Sequence, residues 1–208
     1  MEVLDRIGVQ RVDPATFLQG GNVRPVYTVL GSADLYRRDD GAPFDTKAFH
    51  RDPQGHHAAM LPFARLAHIY IACHFWDPRG PKILSTADLR DPSLGLKVIA
   101  DVSCDIGGPI DSTLRASTIA EPFFGYDPGT VSERPTGTPG TVTVMSVDNL
   151  PCELPRDASK AFGRDLMDRV LPNLIGTDPE GMIDRATIAR GGRLTERFSH
   201  LQDYVDGA

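Results

Sequence analysis

Three short apolar runs set the terms on which this chain can fold. They are Ile69-Tyr70-Ile71-Ala72-Cys73, the segment from Leu96 to Val102, and the segment from Thr141 to Val147. Each is strand-length and rich in β-branched residues, and the first two are almost uninterrupted. Such runs predict strands buried on both faces of a parallel sheet. Each ends in polar residues: His74 and Asp77 after the first, Ser103, Cys104 and Asp105 after the second, Asp148 and Asn149 after the third. With helical patterns between and after them, the fold class is α/β.

Other segments complete the outline. Glu2 to Ile7 has helical spacing and Gly8 suits the residue just past a helix end. Pro25 to Leu30 predicts a further strand. Residues 31–56 read as loop. His57 to Ala67 suits a short helix disturbed by Pro62. From Pro155 to Ile175 the spacing of Ala158, Phe162, Leu166, Met167, Val170, Leu171 and Leu174 predicts one long amphipathic helix. Pro155 fits its first turn, and Pro172 should bend its last. Residues 178–190 and 193–205 predict two terminal helices around Gly191-Gly192.

In open α/β sheets, ligands bind at the carboxyl ends of strands. Any one of these Asp or Asn residues could simply start a turn or cap a helix, but three polar strand ends together favour a site. Gly107-Gly108-Pro109 permits close backbone approach or a tight turn. No helix pattern begins there, so it is a poor phosphate loop. His74 follows a strand expected to be buried, whereas His50, His56 and His57 lie in or near a polar loop and are expected to be exposed. Trp76 is open to a plain packing role.

Charge and cysteine usage narrow the class. A net charge of −6 over 208 residues argues against a nucleic-acid surface. No apolar run approaches the roughly 20 residues that span a bilayer, so no membrane partner is expected. The opening Met-Glu-Val-Leu-Asp-Arg does not read as a signal peptide. Cys73, Cys104 and Cys152 lie far apart, which predicts reduced thiols in a cytoplasmic protein and no zinc or other metal site.

Two segments carry a resemblance. Ile99 to Ile110 (IADVSCDIGGPI) and Val147 to Ser159 (VDNLPCELPRDAS) resemble the saccharopine dehydrogenase and lysine–ketoglutarate reductase branch of the alanine dehydrogenase and pyridine nucleotide transhydrogenase superfamily. Ser117 to Phe124, Tyr126-Asp127 and Tyr70 to Trp76 support it, so the resemblance covers most of residues 1–175. It implies the C-terminal half of an NAD(P)-dependent oxidoreductase acting on the C–N bond of an amino acid or saccharopine-like amine. Residues 1–150 would be the later part of a Rossmann domain, and residues 151–208 a helical segment returning to the substrate domain. The sheet would be an incomplete Rossmann-type parallel sheet, because the first strand and its glycine-rich turn have no counterpart here.

The resemblance also implies roles. Phe75, Val102, Val147, Asp148, Asn149 and Leu150 would contact the nicotinamide cofactor, and Ser103, Cys104 and Asp105 would face the substrate. The catalytic lysine and histidine of such enzymes belong to an N-terminal domain without a counterpart here, so no catalytic residue is assigned. The ribose position after Val26 to Leu30 holds Gly31-Ser32 rather than an acidic residue, and Arg37 and Arg38 lie nearby. NAD and NADP both stay open, as does a solvated-loop role for the two arginines. The alternative to an active enzyme is a truncated remnant or split subunit that needs an N-terminal partner; a homo-oligomer is also possible.

Overall fold

The computed structural model describes residues 2–207, and the chain falls into two compact units that meet at Leu150/Pro151. The first is built on a five-stranded sheet. Its strands are β1 (Ile69–Ala72), β2 (Val98–Asp101), β3 (Phe123–Asp127), β4 (Ser132–Arg134) and β5 (Val142–Met145), in the order β1-β2-β5-β3-β4. β1, β2 and β5 are parallel. β3 runs antiparallel to both β5 and β4. The sheet is therefore mixed, and the expectation of a purely parallel sheet is corrected. The two added strands form a hairpin, and an antiparallel hairpin needs no crossover helix to join an edge.

The apolar runs fare differently. In β2 and β5 alternate residues are fully buried, with Ile99 and Val144 at 0% exposure. In β1 the expectation of burial on both faces fails, because Ile69 and Ile71 are 61% and 50% exposed. β1 has β2 as its one partner in this sheet, so its other edge is open. The core also draws on Met60, Phe63, Ile83, Leu84, Ile110, Phe124 and Tyr126. Helix Thr86–Leu89 is closed by reciprocal hydrogen bonds between Ser85 and Asp88, the capping box that satisfies two orphan backbone donors. Thr86 Oγ1 meets the buried Tyr126 hydroxyl at 2.9 Å, which ties this helix to β3.

Several local expectations shift. Val26–Tyr27 is a strand, but it pairs with Gln10–Arg11 in a small parallel ribbon outside the five-stranded sheet. Residues 31–56 are not simple loop: helices Ser32–Leu35 and Thr46–Arg51 and strand Tyr36–Arg38 lie there. That strand pairs with His56–Ala58, so the backbone at 56–58 is extended and the following helix starts only at Leu61. Pro62 then sits in the first turn, where its missing N–H costs nothing.

The second unit holds a continuous helical stretch over Pro155–Ile175. Its middle, Leu166–Val170, widens into a π turn just before Pro172. Proline can neither donate to nor clear the carbonyl four residues back, and a π bulge is one way to absorb that. The expected helices 178–190 and 193–205 shrink. Helix Met182–Ala186 is followed by a hairpin, Ala189–Arg190 with Arg193–Leu194, turned by Gly191-Gly192. A 3₁₀ segment, Glu196–Leu201, and a last turn, Gln202–Asp206, then follow. Both glycines have positive φ, 58° and 77°, and two consecutive positive φ values suit a tight hairpin turn rather than a helix junction.

Candidate functional site at the strand ends

Parallel pairing of β1, β2 and β5 brings their carboxyl ends to the same edge of the sheet. Asp101, the last residue of β2, is fully buried. Its carboxylate accepts the Cys104 N–H at 3.0 Å and the Thr113 hydroxyl at 2.6 Å. This holds Cys104 at φ +52°, a left-handed conformation that side-chain-bearing residues rarely adopt. The Cys104 thiol reaches the Ser146 carbonyl at 3.1 Å, which joins the ends of β2 and β5. Ser146 is itself fully buried and fixed by Ser117 Oγ and the Arg115 carbonyl.

Ser103 links β2 to β1. Its hydroxyl accepts the His74 N–H at 3.1 Å and donates to the His74 carbonyl at 2.9 Å. Of the residues expected on the substrate side, Ser103 therefore has its hydroxyl engaged and Cys104 is partly covered. Asp105 is exposed. Burial pushes the Cys104 thiol up, and the carboxylates of Asp101, Asp148 and Asp105 push the same way. The thiol is held protonated rather than as a nucleophilic thiolate. The same electrostatics brings Asp105 and Asp148 into one acidic environment around Cys104.

The residues expected at the cofactor divide likewise. Val147 is 2% exposed and its N–H lies on the Met145 sulfur at 3.4 Å, so it is covered on the side chain and the backbone alike. Asp148 and Asn149 are exposed and Leu150 is half-buried. Val102 and Phe75 are 39% and 91% exposed. Gly107-Gly108 forms a turn, with the Gly108 N–H on the Asp105 carbonyl at 2.9 Å. A Cβ on Gly108 would lie 2.6 Å from the Asp105 Cβ, so glycine there is a packing requirement.

A cavity of about 380 Å³ opens beside the end of β1. His74, Phe75, Trp76 and Asp77 line one side, and Leu30, Gly31, Ser32, Tyr36 and His50 line another. Trp76 donates its indole N–H to the Pro81 carbonyl at 3.1 Å. Burial lowers the His74 pKa, against the opposing pull of Asp101 and Asp105. His74 Nε2 is buried with no hydrogen-bond partner. His56 departs from expectation: it is half-buried, edge-on to Phe44 and Phe49, because strand 56–58 carries it there. His57 is exposed and pairs with Asp39 at 2.8 Å.

One residue escaped sequence reasoning. The Asp34 carboxylate folds back to accept the Gly31 N–H at 2.8 Å and so caps the helix Ser32–Leu35. The signal was its place three residues after the helix-starting Gly31, the capping-box offset. Among the described residues, no group of three His, Cys, Asp or Glu side chains could hold a metal ion. Among the same residues, no helix is long and apolar enough to cross a membrane.

No family profile matches the chain. Curated relatives do. The alpha-aminoadipic semialdehyde synthase of Arabidopsis thaliana is 30% identical over 198 residues, 88% of this chain and 18% of that protein. The mitochondrial alpha-aminoadipic semialdehyde synthase of Rattus norvegicus is 25% identical over 97% of this chain and 25% of its own length. A saccharopine dehydrogenase (NAD(+), L-lysine-forming) of Emericella nidulans is 36% identical over 107 residues, 50% of this chain and 28% of that enzyme. The chain thus spans less than a third of each of these relatives. Over most of its length it is a homologue of alpha-aminoadipic semialdehyde synthase, of the lysine–ketoglutarate reductase and saccharopine dehydrogenase type.

Proposed function

We propose that this chain supplies the later part of a Rossmann-type nucleotide-binding domain, residues 1–150, and a helical return to a substrate domain, residues 151–208. It would serve an NAD(P)-dependent oxidoreductase that acts on the C–N bond of an amino acid or saccharopine-like amine in lysine metabolism. The observation that carries this reading is the convergence of three parallel strand ends on one acidic, backbone-rich edge, in a chain related to saccharopine dehydrogenases. The cavity beside β1 suits part of a dinucleotide, since it is lined by aromatic residues and the imidazoles of His50 and His74.

A bound nicotinamide would supply the hydride acceptor or donor for the carbon of the C–N bond. Phe75, Val102, Val147, Asp148, Asn149 and Leu150 would hold the cofactor. Asp105 and Asp148 would attract the ammonium of an amine by charge complementarity. Ser103 and Cys104 would shape the floor beneath it. Among the described residues no side chain is assigned as the acid or base. Three free cysteines suit a reducing compartment such as the cytoplasm.

The open edge of β1, with Ile69 and Ile71 exposed, favours a second reading in which the chain works only beside a partner polypeptide. An unpaired edge of this kind calls for a covering strand. The test is fluorescence titration of NADH and NADPH against the purified chain, alone and with the N-terminal segment of a relative supplied. Saturable binding alone supports the enzyme reading, and binding only with the added segment supports the second. Absence of binding in both conditions sinks the dinucleotide site.

A further inference from the structure

A phosphate-bearing ligand brings negative charge, and the cavity beside β1 has an unusual set of groups to meet it. Among the described residues that line it there is no lysine or arginine, and its four ionisable side chains are Tyr36, His50, His74 and Asp77. Two of these keep a constant charge around neutral pH. Burial pushes the Tyr36 hydroxyl up to about 12, so it stays neutral. Asp77 accepts hydrogen bonds from Arg79 at 2.6 and 3.0 Å, which hold its carboxyl below the usual range, so it stays ionised. The Arg79 guanidinium is engaged there and on the Arg51 carbonyl. The two imidazoles are left to change charge, and histidine is the side chain whose ordinary range lies between about pH 5 and 8. Burial disfavours the charged form of His74, against the pull of Asp101 and Asp105. Ser103 pins the His74 backbone in place. His50 is exposed, with its ring 6.0 Å from that of Phe49, on the helix Thr46–Arg51 that also carries Lys47 and Arg51 and is capped by Asp45.

We propose that the cavity takes up a proton on its histidines, His50 and His74, as it binds the phosphate-bearing ligand, so that the pair supplies, only when protonated, the positive charge that a lysine or arginine would supply permanently. The inference rests on the dinucleotide reading above. An anion held beside an imidazole favours its charged form. The bound chain then carries more protons than the free chain, and affinity rises as the pH falls. The gain is lost as the pH climbs through the range in which the bound imidazoles give up their protons.

The test is binding rather than turnover: calorimetric titration of oxidised NAD, whose pyrophosphate stays ionised throughout, under whichever condition above gives saturable binding. One proton taken up changes affinity by up to about tenfold per pH unit, so NAD should bind at least about fivefold more tightly at about pH 6 than at about pH 8. At about pH 7 the heat of binding should differ between buffers of unlike ionisation enthalpy, in the sense of proton uptake. His50→Gln and His74→Gln should each flatten the dependence, and the double variant should bring the affinities at the two pH values within about twofold of each other. Affinity that is flat with pH in the unsubstituted chain, proton release on binding, or a slope retained by the double variant would overturn the inference and leave the dinucleotide reading standing. Absence of NAD binding at every pH in both conditions would overturn both.

Discussion

Residues up to Leu150 and residues from Pro151 onward answer the same solvent differently. Every residue of the hydrophobic core cluster lies in the first unit. Among the described residues of the second, none is fully buried, and Phe162, Met167 and Leu174 are 70%, 62% and 56% exposed. Both units carry apolar periodicity, but only the sheet has neighbours close enough in sequence to cover its faces. The lesson is that an amphipathic pattern announces a face to be buried and not the surface that buries it.

Truncation separates the two regions most sharply. Phe124 is 2% exposed, with the Arg115 guanidinium 4.8 Å from its ring centre. Phe124→Ala should cost about 3–5 kcal/mol in denaturant unfolding. Phe162→Ala should stay within about 0.5 kcal/mol. A comparable loss at Phe162 would show that its helix face is covered in solution.

A smaller effect probes the buried polar edge of the first unit. Asp101→Ala strips the acceptor from both the Cys104 N–H and the Thr113 hydroxyl. The expected cost is about 3 kcal/mol, since buried donors left unsatisfied are expensive. It should exceed that of Asp157→Ala, at an exposed position of the second unit. Equal costs would mean that Asp101 does not hold its turn.

The smallest effect is a pH dependence. Burial depresses the His74 pKa below its ordinary 6.5 in the folded chain. The unfolded chain therefore binds the proton more readily, and stability falls as pH drops below about 6.5 toward the folded value. His74→Asn should flatten that part of the profile of unfolding midpoint against pH. An unchanged profile would show that His74 does not contribute.

The legible parts of the sequence were those whose signal is local. The apolar runs found β2 and β5 because alternate positions there are fully buried. The spacing from Ala158 to Leu174 found the long helical stretch. The hairpin of β3 and β4 was missed for physical reasons. Gly125 interrupts the pattern of β3, and it is glycine because a Cβ would lie 2.9 Å from the Pro135 carbonyl oxygen. Ser132–Arg134 is a short polar edge strand with no apolar alternation to see. At the site, the polar strand ends were readable as a group. That Ser103 would spend its hydroxyl on His74, or that Asp34 would turn back to Gly31, depends on backbone paths that composition does not encode.

The Ser103 hydroxyl has one further consequence. By gripping both the N–H and the carbonyl of His74, it makes the acidic turn and the wall of the cavity a single mechanical piece. A ligand that tilts the turn at Cys104 would carry the imidazole with it, and a ligand seated against the imidazole would set the pitch of the turn. Occupants of the two places would then sense each other reciprocally, through one hydrogen-bonded rivet rather than through a hinge.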